Sequence, residues 1–159
     1  MAGNWLSLFG PRIKPVLFPY WLLSRGVTLG VRCAAFDDQG AVCLVMHTYT
    51  PGWHFPGGGV EPGETALQAV KKELSEEAGI VLQAPPELFA VYANFTASRR
   101  DHVVMFVARN WQQMDLKLPS REIADIGTFD PLDPPADISP GTRRRLAEIA
   151  AGRASAYVW

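Results

Sequence analysis

The stretch GGGVEPGETALQAVKKELSEEAGI, from Gly57 to Ile80, constrains this chain more than any other. Gly57, Gly58 and Gly59 make a turn whose backbone can approach a neighbour closely. Thr65-Ala66-Leu67-Gln68 has the form of a capping box, so a helix begins near Thr65, and Gly79 is placed to end it in the left-handed conformation. Leu67, Val70, Leu74 and Ala78 form its predicted inward stripe. Glu73, Glu76 and Glu77 fall within one turn and cover about a third of the helix circumference. Carboxylates that close repel one another, which makes a structural role poor unless something cationic sits among them. Hard divalent cations take oxygen ligands and share them with phosphates. The helix therefore reads as a metal platform for phosphate chemistry.

The spacing carries more. Gly58, five residues, Glu64, seven residues, then Lys72-Glu73-Leu74-Ser75-Glu76-Glu77-Ala78-Gly79-Ile80 resembles the Nudix box of the MutT-like pyrophosphohydrolases. Each fixed position is met except one, where Lys72 stands for arginine. Trp53-His54-Phe55-Pro56-Gly57-Gly58 also resembles the usual approach to that box. The resemblance implies an α/β fold, an α/β/α sandwich with a mixed central sheet, over about residues 26–152. Residues 1–25 are then an N-terminal apolar extension and 153–159 a C-terminal tail.

It also implies Mg²⁺-dependent hydrolysis of a diphosphate linkage in a nucleoside diphosphate derivative, with Mn²⁺ able to substitute. Glu76 and Glu77 are the implied metal ligands. Glu73 is a further ligand or the base that takes the water proton, and the Gly57 carbonyl is a candidate ligand. Glu122 resembles, in position, a late glutamate used as ligand or base, and Asp101 competes for that role. Gly58, Glu64 and Lys72 support the glutamates. Lysine at 72 keeps the positive charge but loses the bidentate fork of arginine. ADP-ribose-like compounds, nucleotide sugars and nucleoside triphosphates all remain open as substrates, because Phe95 and Thr96 stand where family subgroup markers would be.

Elsewhere the alternation predicts strands over 27–36, 41–47, 87–96, 102–111 and 123–129. A polar excursion covers 112–120. A last helix is expected over 140–151, with Ser139 as N-cap, Pro140 at its first position and Gly152 after its end. Arg99 and Arg100, on the loop before His102, are candidates for phosphate contact. Arg143-Arg144-Arg145 reads as a solvated face. Trp53, Phe55, Tyr92 and Phe95 are aromatic at strand spacing and read as core or as base-stacking groups, Phe55 being the one nearest the box. His47 and His54 read as polar structural residues or cleft liners.

Composition narrows the partners. A formal net charge of −1 gives no basic field for nucleic acid, so a small nucleotide is the expected partner. Cys33 and Cys43 lack metal spacing and read as buried, reduced thiols of a cytoplasmic protein. Residues 5–23 are rich in large apolar side chains. Their longest unbroken run, Val16 to Leu23, is eight residues, against the roughly 20 needed to span a bilayer. Without a small-residue cleavage site it does not read as a signal peptide. Packing on the domain, a homodimer interface and peripheral membrane contact are the three readings of this segment. Two non-hydrolase alternatives also stand: a nucleotide- or metal-binding regulator with little turnover, and a membrane-peripheral interaction protein.

Overall fold

A computed structural model describes residues 19–114 and 120–159. Its elements are β1 (Thr28–Phe36), β2 (Val42–His47), β3 (Trp53–His54), α1 (Ala66–Ala78), β4 (Ile80–Leu82), β5 (Glu87–Ala93), β6 (Asp101–Ala108), β7 (Trp111–Gln113), β8 (Ile123–Phe129) and α2 (Pro140–Ala150). The main sheet runs β3-β2-β1-β6-β5, with β8 on the other edge of β2. It is mixed because β1 and β6 pair in parallel over Thr28–Ala35 while the other pairs are antiparallel.

The pleat divides β1 between two cores. Val31, Cys33 and Ala35 pack with Cys43, Val45, Val70 and Leu74 beneath α1. Ala34 and Phe36 pack on the opposite face with Leu44, Tyr92, Met105 and Leu146 of α2. This is the expected α/β/α sandwich.

Local signals set the helix ends. Thr65 caps α1 with both arms of the capping box formed, and Gly79 adopts φ 62°. Ser139 caps α2, with Pro140 in its first turn. Leu67, predicted to point inward, is instead exposed, because Ala66 and Ala69 make the first-turn contacts with the core. The strand expected over 102–111 is divided: β6 ends at Ala108, and Trp111 opens β7, which pairs with β4 in a separate two-stranded sheet. The strand expected to reach Thr96 stops at Ala93.

One expectation at the C-terminal end is corrected. Arg145 is fully buried rather than solvated. Its Nε lies 2.8 Å from Glu148 Oε2, and its guanidinium sits 4.2 Å from the Tyr92 ring centroid. The segment after 152 is bonded back to β5. The N–H of Ala93 donates to the Tyr157 carbonyl and the N–H of Trp159 donates to the Ala93 carbonyl, both at 2.9 Å. Arg145 Nη1 donates to the Val158 carbonyl at 3.1 Å.

Cys33 and Cys43 are buried and unpaired, and burial pushes both thiols up, Cys43 to about 12. Trp5 to Phe18 and residues 115–119 of the polar excursion lie outside the described residues. Residues 19–25 are helical, with Tyr20, Leu22 and Leu23 exposed. Among the described residues no helix is long and apolar enough to cross a membrane.

Candidate active site

The glycine turn is stitched to the edge of β1 that β2 leaves free. Val31 donates to the Gly58 carbonyl at 2.8 Å, Cys33 to the Pro56 carbonyl at 3.1 Å, and Val60 to the Leu29 carbonyl at 2.8 Å. Gly57 has φ 146°, and a Cβ there would lie 2.1 Å from the Val31 carbonyl oxygen, so no side chain fits. Gly58 is open for a different reason: a Cβ would lie 2.5 Å from Glu73 Oε1. The glycine leaves room for that carboxylate.

Helix α1 brings Glu73, Glu76 and Glu77 to one cavity of about 210 Å³, and Glu122 completes its acidic wall together with Ser120, Arg121 and Ile123. Sheet pairing delivers Glu122. The start of β8 meets the end of β2, where His47 pairs with Ile123 and Thr48 donates to the Glu122 carbonyl at 2.9 Å. Asp101 is elsewhere, accepting from Thr28 Oγ1 and Asn94 Nδ2, each at 2.7 Å.

Electrostatics mark this cavity. Burial pushes Glu77 up to about 7, with Glu73 and Glu122 adding repulsion; the Gly57 N–H, donating to Glu77 Oε2 at 2.7 Å, opposes the rise. Burial also raises Glu73, as do Glu76 and Glu122, against the pull of Lys72 and Arg32. Lys72 Nζ lies 3.3 Å from Glu64 Oε1 and 3.8 Å from Glu73 Oε1, tying the two carboxylates together. Glu64 also accepts from the Glu61 N–H, and this bond and Lys72 hold its carboxyl below the usual range.

Two neighbours, Arg32 and Tyr49, escaped the sequence reading, whereas His47 reads there as a structural residue or cleft liner. Arg32 donates to the carbonyls of Phe55 and Gly57 from beneath the turn, near Glu77 and Glu73. Its signal was a lone arginine inside the apolar run VTLGVRCAAF, a charge that a buried strand tolerates only with partners. His47 is buried with neither ring nitrogen hydrogen-bonded among the described residues, and Nδ1 is 3.7 Å from Glu77 Oε1. Burial, with Arg32 and His54, pushes its pKa down to about 4, so the ring is neutral near pH 7 and this approach is no ion pair. Tyr49, exposed, stacks on it with ring centroids 5.2 Å apart.

Phe55 is a correction. Its ring is fully buried in the core under α2, out of reach of any substrate. Trp53 and Tyr92 are buried in the same core. Arg99 and Arg100 are exposed on the turn before β6 and do not line the glutamate cavity; Arg100 Nη1 reaches the Leu23 carbonyl instead.

Comparison with known proteins gives one consistent picture. The family model described as NUDIX domain matches residues 26–149. An RNA pyrophosphohydrolase of Erwinia tasmaniensis is 35% identical over 85 residues, which cover 54% of this chain and 38% of that protein. An RNA pyrophosphohydrolase of Escherichia coli gives the same identity and coverage. The match thus spans well under half the length of these relatives. Among solved structures, a MutT NUDIX hydrolase from Burkholderia pseudomallei superposes with a TM-score of 0.66 at 24% identity, covering 77% of this chain and 97% of that one. An ADP-ribose pyrophosphatase from Streptococcus suis gives 0.61 at 24% identity, covering 82% and 95%.

Proposed function

The chain belongs to the NUDIX domain family, and from that premise we propose that it hydrolyses the diphosphate linkage of a nucleoside diphosphate derivative with the help of a divalent cation. The observation that carries this reading is the convergence of Glu73, Glu76, Glu77 and Glu122 on one cavity beside the Gly57–Gly59 turn. Nothing among the described residues neutralises all four acids. The raised pKa values of Glu73 and Glu77 record burial and mutual repulsion that a cation would relieve.

The donor set fits the ion. It is all oxygen, as Mg²⁺ prefers, and Mn²⁺ shares that taste. Among the described residues no three acidic, histidine or cysteine side chains are grouped so as to hold an ion by themselves, and Mg²⁺ typically uses one or two carboxylates plus substrate phosphates. Bound there, the cation would neutralise phosphate charge and lower the pKa of a water. Glu76 and Glu77 would hold it, with Glu73 as a third oxygen donor. The Gly57 carbonyl has one lone pair engaged by Arg32 and one to offer. Glu73 or Glu122 would accept the proton of the attacking water. Lys72 would fix Glu73, and Gly58 would leave it room. We place this activity in the cytoplasm, the compartment that suits two buried free thiols.

The test is product formation over a panel of ADP-ribose, nucleotide sugars, nucleoside triphosphates and a polyphosphorylated RNA oligonucleotide. Each is run with Mg²⁺ or Mn²⁺ and beside a Glu77→Gln control. Metal-dependent turnover that disappears in the control is expected. Ligand binding without product under every metal would instead mean a regulator.

A further inference from the structure

A second cavity, of about 290 Å³, is lined in part by the glycine turn. Gly58 links the two: a Cβ there would meet the Glu73 carboxylate of the first cavity, and the glycine lines the second with Gly59 and Arg32. A diphosphate lying along Gly58 and Gly59 therefore has its far end here. The cavity has apolar walls from Leu29, Val103 and Trp159 and a polar corner from Asn94 and Asp101. That size and mixture suit a flat aromatic ring with a polar rim. The Asp101 carboxylate disfavours a further phosphate and favours hydrogen-bond donors. Its two oxygens accept from Thr28 and Asn94 and keep lone pairs free.

Trp159 is held in this wall by tertiary structure. Its N–H is bonded to the Ala93 carbonyl, its ring meets Tyr92 edge-on at 5.7 Å, and the Arg145 guanidinium lies 5.6 Å from its centroid. Gly141 of α2 admits it, since a Cβ there would stand 2.6 Å from Trp159 Nε1. The ring is thus locked from α2 and from β5 while its remaining surface borders the cavity. A side chain fixed this way contributes contact area without an ordering cost at binding.

We infer that Trp159, brought to the glycine turn by the folded C-terminal segment, is a specificity-determining residue that forms the wall against which an amino-bearing nucleobase of the substrate packs. This rests on the hydrolase reading for the position of the diphosphate, and deepens it by naming what lies at the other end. Adenine, guanine and cytosine carry the exocyclic amino donor that the Asp101 corner would accept.

Binding of AMP and of ribose 5-phosphate, which differ by the base alone, tests this in the intact protein by calorimetry. Wild type is expected to bind AMP more tightly than ribose 5-phosphate. Trp159→Ala is expected to weaken AMP about tenfold or more and to leave ribose 5-phosphate unchanged, since stacking on an aromatic side chain is worth about that much. Trp159→Phe, which keeps a ring, should restore most of the AMP affinity, and circular dichroism confirms that each variant is folded. Equal affinity for the two ligands, detectable binding of neither, or an equal loss of both in Trp159→Ala would overturn the inference. Turnover separates the two claims: AMP binding lost at Trp159→Ala, in a protein that hydrolyses nothing, would leave this wall standing and remove the hydrolase reading.

Discussion

At the scale of single residues, the site depends on side chains that hold glutamates rather than on the glutamates alone. Lys72 bridges Glu64 and Glu73. Replacing it with methionine should lower kcat about 10–100-fold, as loss of a group orienting a metal ligand usually does. Lys72→Arg should keep or raise turnover, because the fork of guanidinium donors suits two carboxylates. Steady-state kinetics on whichever substrate the panel identifies decides both, and a collapse of Lys72→Arg would show that lysine itself is required. Gly58→Ala makes a sharper case. The added methyl meets the movable end of Glu73 rather than backbone, so the carboxylate shifts and the fold does not. Turnover should drop by about the same 10–100-fold while Tm stays within a few degrees. A large fall in Tm would mean that the glycine serves the turn instead. Lys72 and Gly58 were both readable from motif spacing. Arg32 was not, because a lone arginine in a strand gives no hint of which carbonyls will receive it.

At the scale of elements, α2 and the segment after it form one buried polar unit. Glu148 accepts from Tyr92 Oη at 2.7 Å, from Arg145 Nη2 at 3.1 Å and from the Ser155 N–H at 3.0 Å. Removing one partner of such a pair leaves a buried charge alone. Arg145→Ala should therefore cost about 3–5 kcal/mol in urea unfolding at pH 7. A cost near zero would place the arginine in solvent after all. Burial by itself would raise the Glu148 carboxyl, but hydrogen bonds from Ser155, Tyr92 and Ala156 outweigh it and bring the pKa down from 4.5 to about 2. A folded-state value below the unfolded one adds stability that is complete above the unfolded value and is lost as pH falls through the folded one. The stability gap between wild type and Glu148→Gln should accordingly be flat above about pH 5 and close as pH falls toward about 2. A gap unchanged over that window would show that the charge contributes nothing. This unit was misread in the sequence because Arg143-Arg144-Arg145 looks uniformly polar. Only the turn of α2 decides which of the three points inward.

At the scale of the whole molecule, the acidic cavity joins helix α1, the glycine turn and the start of β8, so an ion bound there ties three parts of the chain together. Mg²⁺ at about a hundred times its Kd should raise stability by about 2.7 kcal/mol, a shift of several degrees in Tm. Glu76, exposed on α1, can be changed to glutamine with little effect on the metal-free Tm, and that variant should lose most of the Mg²⁺ shift. Thermal scans with and without EDTA measure both. An equal shift in the variant would remove Glu76 from the ligand set. The sequence by itself determined the capped helix, the turn and the three acids of α1, while the sandwich and the candidacy of Glu122 came from the family resemblance. The helix, its three acids and the turn depend on neighbours within a few residues, where propensity and spacing act directly. What only the tertiary structure decided is which distant groups meet them. Glu122 arrives through the pairing of β8 with β2, and Trp159 through a tail bonded to β5. Phe55, next to the box in sequence, turns into the core instead. Strand pairing and side-chain direction join residues far apart in the chain, and no local pattern records which partner a sheet edge or a helix face will take.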